Sequence, residues 1–202
     1  MADAPSLVVL ISGSGSNLAA LLEACGSGAL DARVAAVVSN RAEAGGLRRA
    51  EAWGVPALYA PLAAFRASGG RPAYDAHLAE TVASFRPTLV VCAGFLHVLS
   101  AAFLDRFGAG RVLNLHPALP GDLPGLDAIR RAWDEGAAGL RRRTGVMVHE
   151  VVVEVDAGPV VCSEAVDLVD GESIESFTAR MHATEHRVLV DAIRHRLRAL
   201  SA

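Results

Sequence analysis

Short apolar runs alternate with amphipathic stretches through the first half of the chain, and this pattern predicts alternating strands and helices. Strands are predicted at residues 7–11, 34–39, 57–59 and 89–93, with a further strand ending at His116. Helices are predicted at residues 17–24, 47–53 and 71–85. Alternation of this kind favours right-handed crossovers, so we expect an α/β protein with a Rossmann-like, mostly parallel sheet flanked by helices.

The pattern changes after His116. Residues 117–125 hold three prolines and two glycines, which predicts a structured loop. Residues 127–135 are predicted as a helix and residues 136–143 as a basic, solvated surface loop. Two β-rich runs, at 144–154 and 159–168, are joined by residues 155–158, which indicates a β-hairpin in the C-terminal half.

A long final helix completes the pattern, with Ser173 as its predicted N-terminal cap. Its predicted apolar face carries Ile174, Phe177, Met181, Val188, Leu189 and Ile193. Because no repeat, low-complexity segment or linker interrupts the chain, we predict a single domain over residues 1–202.

Composition narrows the class of protein. The net charge of the 202 residues is −3, which gives no general electrostatic case for binding nucleic acid or an anionic membrane. The apolar runs are too short to span a bilayer, and residues 1–6 lack the basic region of a secretory signal. Cys25, Cys92 and Cys162 are widely spaced, so we expect reduced cysteines in a cytoplasmic protein that holds no metal.

The chain contains no lysine, and all 19 of its Lys and Arg residues are arginine. Schiff-base chemistry and a Walker phosphate loop both need a lysine, so the sequence excludes both.

Asn114 and His116 are candidate catalytic residues. Their spacing places both on one face of a strand, and Pro117 ends that strand at its carboxyl edge, where open α/β sheets carry their chemistry. With Asp156 of the later Val-Asp-Ala-Gly-Pro segment, they suit proton transfer combined with stabilisation of an oxyanion. The alternative is that Asn114 caps a turn and His116 is a half-buried structural histidine.

Residues 12–17, here called the glycine–serine loop, follow the first strand and open the first helix. Small residues at a helix N-terminus form a phosphate cradle. The dinucleotide fingerprint is incomplete, because Leu18 replaces its third glycine and the second strand is followed by Asn40 and Arg41. Arg41 facing a 2′-phosphate keeps an NADP-dependent reductase as an alternative, and a tight turn capped by Asn17 is another.

Two further features are candidates for ligand contact. Residues 93–100, here called the wall segment, follow a strand and suit the wall of a pocket for an aromatic ligand, or else core with Ser100 as a helix cap. Glu185 falls inside the apolar arc of the last helix, so it either binds a ligand or pairs with an arginine. His77, His149, His186 and His195 offer no functional argument.

With these motifs in order, the chain resembles the phosphoribosylglycinamide formyltransferases, the folate-dependent transformylases of purine synthesis. The matching motifs are LISGSGSNL at residues 10–18, VSNR at 38–41, AGF at 93–95, NLHP at 114–117, PG at 124–125, VDAGP at 155–159 and TEH at 184–186. The resemblance implies the formyltransferase fold, a nucleotide-binding half at residues 1–116 and a folate and catalytic half at 117–202. It implies a cytoplasmic monomer or homodimer that needs neither metal nor NAD(P).

The resemblance also implies roles for individual residues. Asn114, His116 and Asp156 are catalytic, and glycinamide ribonucleotide is held at its phosphate by Gly15, Ser16 and Asn17 and at its amine by Glu185. The co-substrate, 10-formyltetrahydrofolate, is held by a larger set that comprises Arg71, Leu96, His97, Val98, Leu99, Asn114, Val153, Glu154, Val155 and Asp156.

The chain departs from the family pattern at two places. It reads His-Pro-Ala-Leu-Pro-Gly at residues 116–121 where the family often has His-Pro-Ser-Leu-Leu-Pro, and it has His97 where several bacterial members have arginine. At His97 we therefore expect contact through the backbone. Methionyl-tRNA formyltransferase and formyltetrahydrofolate deformylase share the Asn, His and Asp set, but each adds a domain for which this chain has no room.

Overall fold

The computed structural model describes residues 4–65 and 69–201 of the chain. Within that part seven strands form one sheet: β1 (Ser6–Ile11), β2 (Arg33–Ser39), β3 (Ala57–Tyr59), β4 (Leu89–Cys92), β5 (Val112–His116), β6 (Arg143–Glu150) and β7 (Val160–Asp167). The helices are α1 (Ser16–Gly26), α2 (Gly45–Ala52), α3 (Gly70–Ala83), α4 (Ala101–Asp105), α5 (Ala128–Ala137) and α6 (Ile174–Ser201), with a 3-10 helix at Leu62–Phe65.

The strand order is β3-β2-β1-β4-β5-β6-β7, with parallel pairing from β3 to β5 and antiparallel pairing from β5 to β7. The predicted α/β class, the mostly parallel sheet and the C-terminal hairpin are confirmed. The direction of strand addition reverses between β1 and β4, and a crevice at such a switch point is where open sheets bind ligands. Both the glycine–serine loop and the wall segment leave the sheet there.

Two apolar layers cover the sheet. One layer packs α1 and α6 on the sheet through Leu18, Leu21, Phe177, Met181 and Leu189, all inaccessible to solvent. The other packs α3 and α4 on the opposite face through Tyr74, Leu78, Val82 and Phe103. Strands β1 and β4 are buried along their whole length, which explains why their sequences are continuously apolar. None of the described helices is both long and apolar enough to cross a membrane.

The hairpin differs from its predicted outline. Strand β6 ends at Glu150 and not at residue 154, so residues 151–159 form the connection. A side chain at Gly158 would come within 1.8 Å of the Glu150 carbonyl oxygen, and this close approach lets the connection fold back over β6. The longer connection is what brings Asp156 above the sheet.

The basic segment before β6 was expected to be a solvated loop, and this was wrong for Arg141. Helix α5 continues to Ala137, and the Arg141 guanidinium binds Glu135 at 2.7 Å and also binds Asp122. Its side chain is 17% exposed. Arg141 therefore joins the end of α5 to residues 117–125 after β5, here called the proline-rich loop, because a planar guanidinium can bind two carboxylates at once.

Candidate active site

Asn114 and His116 lie on one face of β5, as their spacing predicts, while Leu113 and Leu115 point into the apolar layer beneath α6. Asn114 pairs in register with Cys92, the last residue of β4. The two polar side chains therefore stand where the carboxyl ends of the parallel strands meet.

His149 is a member of this cluster that the sequence analysis missed. It lies directly opposite Asn114 in the antiparallel pairing of β5 with β6, so the two side chains share a face. The Nε2 atom of His149 lies 3.1 Å from Asn114 Nδ2, and its Nδ1–H donates to the Glu150 carbonyl oxygen at 2.8 Å. The available signal in the sequence was a histidine directly after the apolar run Val146, Met147 and Val148 in a predicted strand.

Asp156 reaches the same place from the connection after β6. Its backbone is left-handed, with φ of 55°, a conformation that Asp and Asn tolerate better than most residues. Its Oδ1 atom accepts from Asn114 Nδ2 at 3.3 Å, and its Oδ2 atom accepts from the Gly125 N–H at 2.8 Å. Oδ2 also lies 3.4 Å from His116 Nδ1. The structure thus brings together all three predicted catalytic residues.

Hydrogen bonds fix the orientation of each group. A carboxylate only accepts, so the Asn114 atom that faces Asp156 is the amide nitrogen, and both of its hydrogens are directed to Asp156 and His149. The Nε2–H of His116 donates to the Leu123 carbonyl oxygen at 3.0 Å. His116 Nδ1 is therefore the nitrogen turned to Asp156.

Burial and charge act in opposite directions on His116. Burial lowers the pKa of His116 below its ordinary value of 6.5, and the negative charge of Asp156 and the Leu123 carbonyl oppose this without reversing it. The negative charge of Asp156 favours protonated His116, but this effect on the pKa is smaller than the effect of burial. The neutral ring is the main form at pH 7.

Asp156 is held in its ionised form. Burial alone would raise the pKa of Asp156, but the His149 ring, whose Nε2 lies 3.5 Å from Asp156 Oδ1, the hydrogen bond from the Gly125 N–H and the charge of His116 outweigh it and hold the pKa below 3.8. The site therefore holds a carboxylate beside a neutral imidazole, a pairing suited to moving a proton.

The glycine–serine loop stands at the same edge of the sheet. Gly15 has φ of 77°, and a side chain there would meet the Gly46 Cα at 2.6 Å, so only glycine permits this turn and its packing on α2. Helix α1 begins at Ser16, one residue earlier than predicted, and its first N–H groups have no partner within the helix. The alternative in which Asn17 caps the helix is wrong, because Gly15 occupies the cap position.

The Asn17 side chain instead contacts α6. Its Nδ2–H donates to Glu185 Oε2 at 3.0 Å, and Glu185 is 5% exposed. Glu185 therefore pairs with Asn17 and not with the arginine of the alternative reading. Burial raises the pKa of Glu185 despite the bond from Asn17 and the charge of His182, so a ligand N–H at this site meets a carboxyl group that already lacks full solvation.

The wall segment presents alternate side chains to solvent. Leu96 and Val98 are each 48% exposed, while Phe95 and Leu99 are buried. Arg71 at the start of α3 donates from Nη2 to the Val98 carbonyl oxygen at 2.8 Å. The His97 side chain is turned inward, 5% exposed, so of this residue only the backbone is available to a ligand at the surface.

The connection after β6 forms a second exposed apolar surface. Val153 and Val155 are 60% and 49% exposed, and Glu154 lies between them. A cleft of about 710 Å³ opens beside Asp156 and is lined by parts of this connection and of the proline-rich loop. Its size is ordinary for a site that binds a small organic molecule.

Among residues 4–65 and 69–201 no group of three or more His, Cys, Asp or Glu side chains is arranged to hold a metal ion. The Asn114, His116 and Asp156 cluster consists of hydrogen-bonding and proton-transferring side chains. It can stabilise an oxyanion and accept a proton within one site.

Comparison with known proteins gives one consistent result. Residues 6–193 match the family model described as formyl transferase. The chain is 43% identical over 196 residues to phosphoribosylglycinamide formyltransferase of Schizosaccharomyces pombe, covering 93% of this chain and 95% of the relative. It is 40% identical over 183 residues to the Escherichia coli protein of the same name, covering 91% and 82%.

A solved structure agrees. The glycinamide ribonucleotide transformylase 1 of Symbiobacterium toebii superposes with a TM-score of 0.88 at 40% identity, and the match covers 96% of this chain and 88% of that one.

Proposed function

The chain belongs to the formyl transferase family, and we propose that Asn114, His116 and Asp156 carry out its reaction. The protein transfers the formyl group of 10-formyltetrahydrofolate to the amine of 5-phosphoribosylglycinamide, a step of purine biosynthesis. The observation that carries the assignment is the convergence of these three side chains. Asn114 and His116 come from a strand, and Asp156 comes from a distant connection. Even so, Asp156 Oδ1 lies 3.3 Å from Asn114 Nδ2, and Asp156 Oδ2 lies 3.4 Å from His116 Nδ1.

Attack by the neutral amine on the formyl carbon forms a tetrahedral oxyanion, for which Asn114 and His116 are the donors. In the structure the Asn114 hydrogens are directed to Asp156 and His149, and the His116 Nε2–H is directed to Leu123. The formyl oxygen therefore has to draw one N–H from each residue. At His116 this requires the Leu123 carbonyl to move, so we propose that residues 117–125 shift as the co-substrate enters.

Asp156 is the proton acceptor in this assignment. Its depressed pKa keeps it ionised at neutral pH, so it can take the proton that the attacking amine loses, directly or through water. Collapse of the oxyanion then breaks the bond from the formyl carbon to N10. Asp156 passes the proton that it took from the amine to N10, directly or through water, and tetrahydrofolate leaves. No covalent enzyme intermediate and no metal enters these steps.

The two substrates approach from opposite sides of the cluster in this proposal. The N–H groups at Gly15, Ser16 and Asn17 bind the phosphate of the ribonucleotide, and Glu185 binds its amine. The folate lies against Leu96, His97, Val98 and Leu99 on one side and Val153, Glu154 and Val155 on the other, with Arg71 binding its glutamate carboxylate. Each substrate site draws on both halves of the chain, which supports one domain over residues 1–202.

The test is an assay that separates the acceptor from water. Purified protein is incubated with 10-formyltetrahydrofolate, with and without glycinamide ribonucleotide, and formylated nucleotide, deformylated folate and free formate are each measured. We expect one formylated nucleotide for each folate consumed, and no formate release without the nucleotide. Added EDTA or omitted NADPH is expected to change nothing.

Three outcomes would contradict this assignment in different ways. Formate release without the nucleotide would indicate a hydrolase. Activity that is lost with EDTA and restored by zinc, or that needs NADPH, would indicate a metal enzyme or a reductase. Tight binding of either substrate without turnover would indicate a sensor on the same fold.

A further inference from the structure

A buried hydrogen-bonded pair, His97 and Asp75, lies behind the wall segment, outside the cluster that carries the reaction. His97 Nε2 lies 2.6 Å from Asp75 Oδ1, and the side chains are 5% and 1% exposed. The His97 ring packs edge-on against Tyr74 and Phe95, with ring centroids 5.1 Å and 5.9 Å away. A carboxylate at this depth needs a partner for both of its oxygens, because burying it unpaired is very unfavourable.

The second oxygen of Asp75 also binds the wall segment. Oδ2 accepts from the Ser100 N–H at 3.0 Å, so one side chain of α3 contacts the segment at two points, three residues apart. Arg71, one turn earlier on α3, adds the bond to the Val98 carbonyl. The segment is thus fastened to α3 over the residues that carry its exposed side chains.

The other end of the segment is fastened to the glycine–serine loop. The Leu96 N–H donates to Ser12 Oγ at 2.8 Å, and Ser12 Oγ donates to Asn40 Oδ1 at 2.7 Å. Gly94 turns the chain there with φ of 76°. Between its bond to Ser12 and its bonds to Asp75, the wall segment forms no helix or strand. Its shape therefore depends on these side-chain bonds.

We propose that the Asp75–His97 pair positions the folate site. The pair fixes the position of the backbone of residues 96–99, against which the folate ring system lies, and its side chains do not touch the folate. The proposal rests on the folate assignment above. Burial makes the pair rigid, because a buried polar group that leaves its hydrogen-bond partner is strongly penalised. His97 thereby acts on the folate through Asp75 and the main chain.

Substitutions at the pair test this through a split between the two substrates. Asp75→Asn leaves one acceptor oxygen for the two N–H groups of His97 and Ser100, so one of these bonds is lost. His97→Gln replaces the ring that packs on Tyr74 and Phe95 by a flexible amide, which no longer holds the bond to Asp75 in place. We expect each to raise the KM for 10-formyltetrahydrofolate by about tenfold, as for a lost hydrogen bond to a charged group. The KM for the ribonucleotide and kcat should change by about twofold or less. The double variant should be no worse than the worse single variant, because the partners act as one unit.

Glu80→Gln is the matched control. Glu80 lies on the same helix as Asp75 and pairs with Arg106, just after α4, at 3.0 Å, but those side chains are 71% and 49% exposed. An exposed pair contributes little, so this variant should resemble the unaltered protein in both KM values. Thermal unfolding of every variant identifies those that are folded at the assay temperature, and His97→Gln carries the test if Asp75→Asn is not folded.

An unchanged folate KM in folded variants with lower melting temperatures would overturn the proposal, since the pair would then only stabilise the fold. Equal rises in both KM values would also overturn it. Absence of turnover in the unaltered protein would instead contradict the proposed function. Titration calorimetry with tetrahydrofolate would still test the pair in that case, because it measures folate binding without the reaction.

Discussion

Nδ1 of His116 lies 3.4 Å from Oδ2 of Asp156, with the two side chains 5% and 10% exposed. This contact joins His116, at the end of β5, to Asp156, which lies much later in the chain in the connection between β6 and β7. It places a negative charge beside the imidazole and leaves the opposite ring nitrogen, Nε2, as the donor to a carbonyl oxygen. The charge and orientation at this contact underlie the changes expected on substitution of Asp156, His149 and His116.

Asp156→Asn should keep the fold and most substrate binding but lower kcat by roughly 10²–10⁴-fold, the usual contribution of general acid–base catalysis. Asparagine tolerates the left-handed backbone and can still accept the Gly125 N–H, so the damage should be chemical and not structural. Steady-state kinetics measure the split between kcat and KM. Asp127→Asn is the control, because exposed Asp127 has a φ of 57° and caps α5. A near-normal kcat in Asp156→Asn would remove Asp156 from the mechanism.

His149→Gln should shift the pH dependence of turnover. His149 helps to hold the pKa of Asp156 down against burial, so its loss should raise that pKa. Turnover needs ionised Asp156, so its acidic limb should move to higher pH, while kcat at neutral pH, where Asp156 stays ionised, should change by about twofold or less. A pH profile of kcat checks this. An unshifted limb would show that His149 only fills space.

Ser16→Asp should weaken binding of glycinamide ribonucleotide, raising its KM by roughly tenfold or more through repulsion of the phosphate. An acidic residue in the first turn of α1 should not destabilise that helix. Ser173→Asp makes the same change at the cap of α6, whose Oγ accepts from the Ser176 N–H, and should leave both KM values unchanged. If Ser16→Asp binds the nucleotide normally, the phosphate site lies elsewhere.

Acidification should destabilise the fold partly through His116. Burial lowers its folded pKa below 6.5, so between that folded value and 6.5 the unfolded chain binds more protons. The contribution of His116 to the free energy of unfolding is therefore fully present above pH 6.5 and is lost as the pH falls through the folded pKa. Urea unfolding at a series of pH values should show a shallower dependence in His116→Gln than in the unaltered protein.

His195→Gln serves as the comparison in that experiment, because His195 is exposed on α6. Its unfolding should follow the same pH dependence as the unaltered protein. Identical curves for His116→Gln and the unaltered protein would mean that His116 is not buried in its neutral form.

The local pattern of polar and apolar residues determined several of the structural features of this protein. Period-two spacing fixed Asn114 and His116 on one face of β5, Pro117 fixed where that strand ends, and helical periodicity placed Glu185 among apolar neighbours. These properties depend on residues near each other in sequence, so they can be derived from the sequence alone. The resemblance to the formyltransferases, carried by ordered motifs, supplied the chemistry.

Only the tertiary structure decided which distant groups meet. The register of β5 with β6 brings His149 opposite Asn114, and a register is set by pairing of whole strands and not by any motif in either one. The fold-back at Gly158 that lifts Asp156 above the sheet depends on a backbone approach between two segments. Likewise the sequence predicted only backbone contact at His97, and the structure shows that its side chain turns inward because Asp75 on α3 offers it a carboxylate. Contacts of this kind exist only once the chain has closed on itself, so the sequence determined the elements and their chemistry, and packing between elements determined which residues act together.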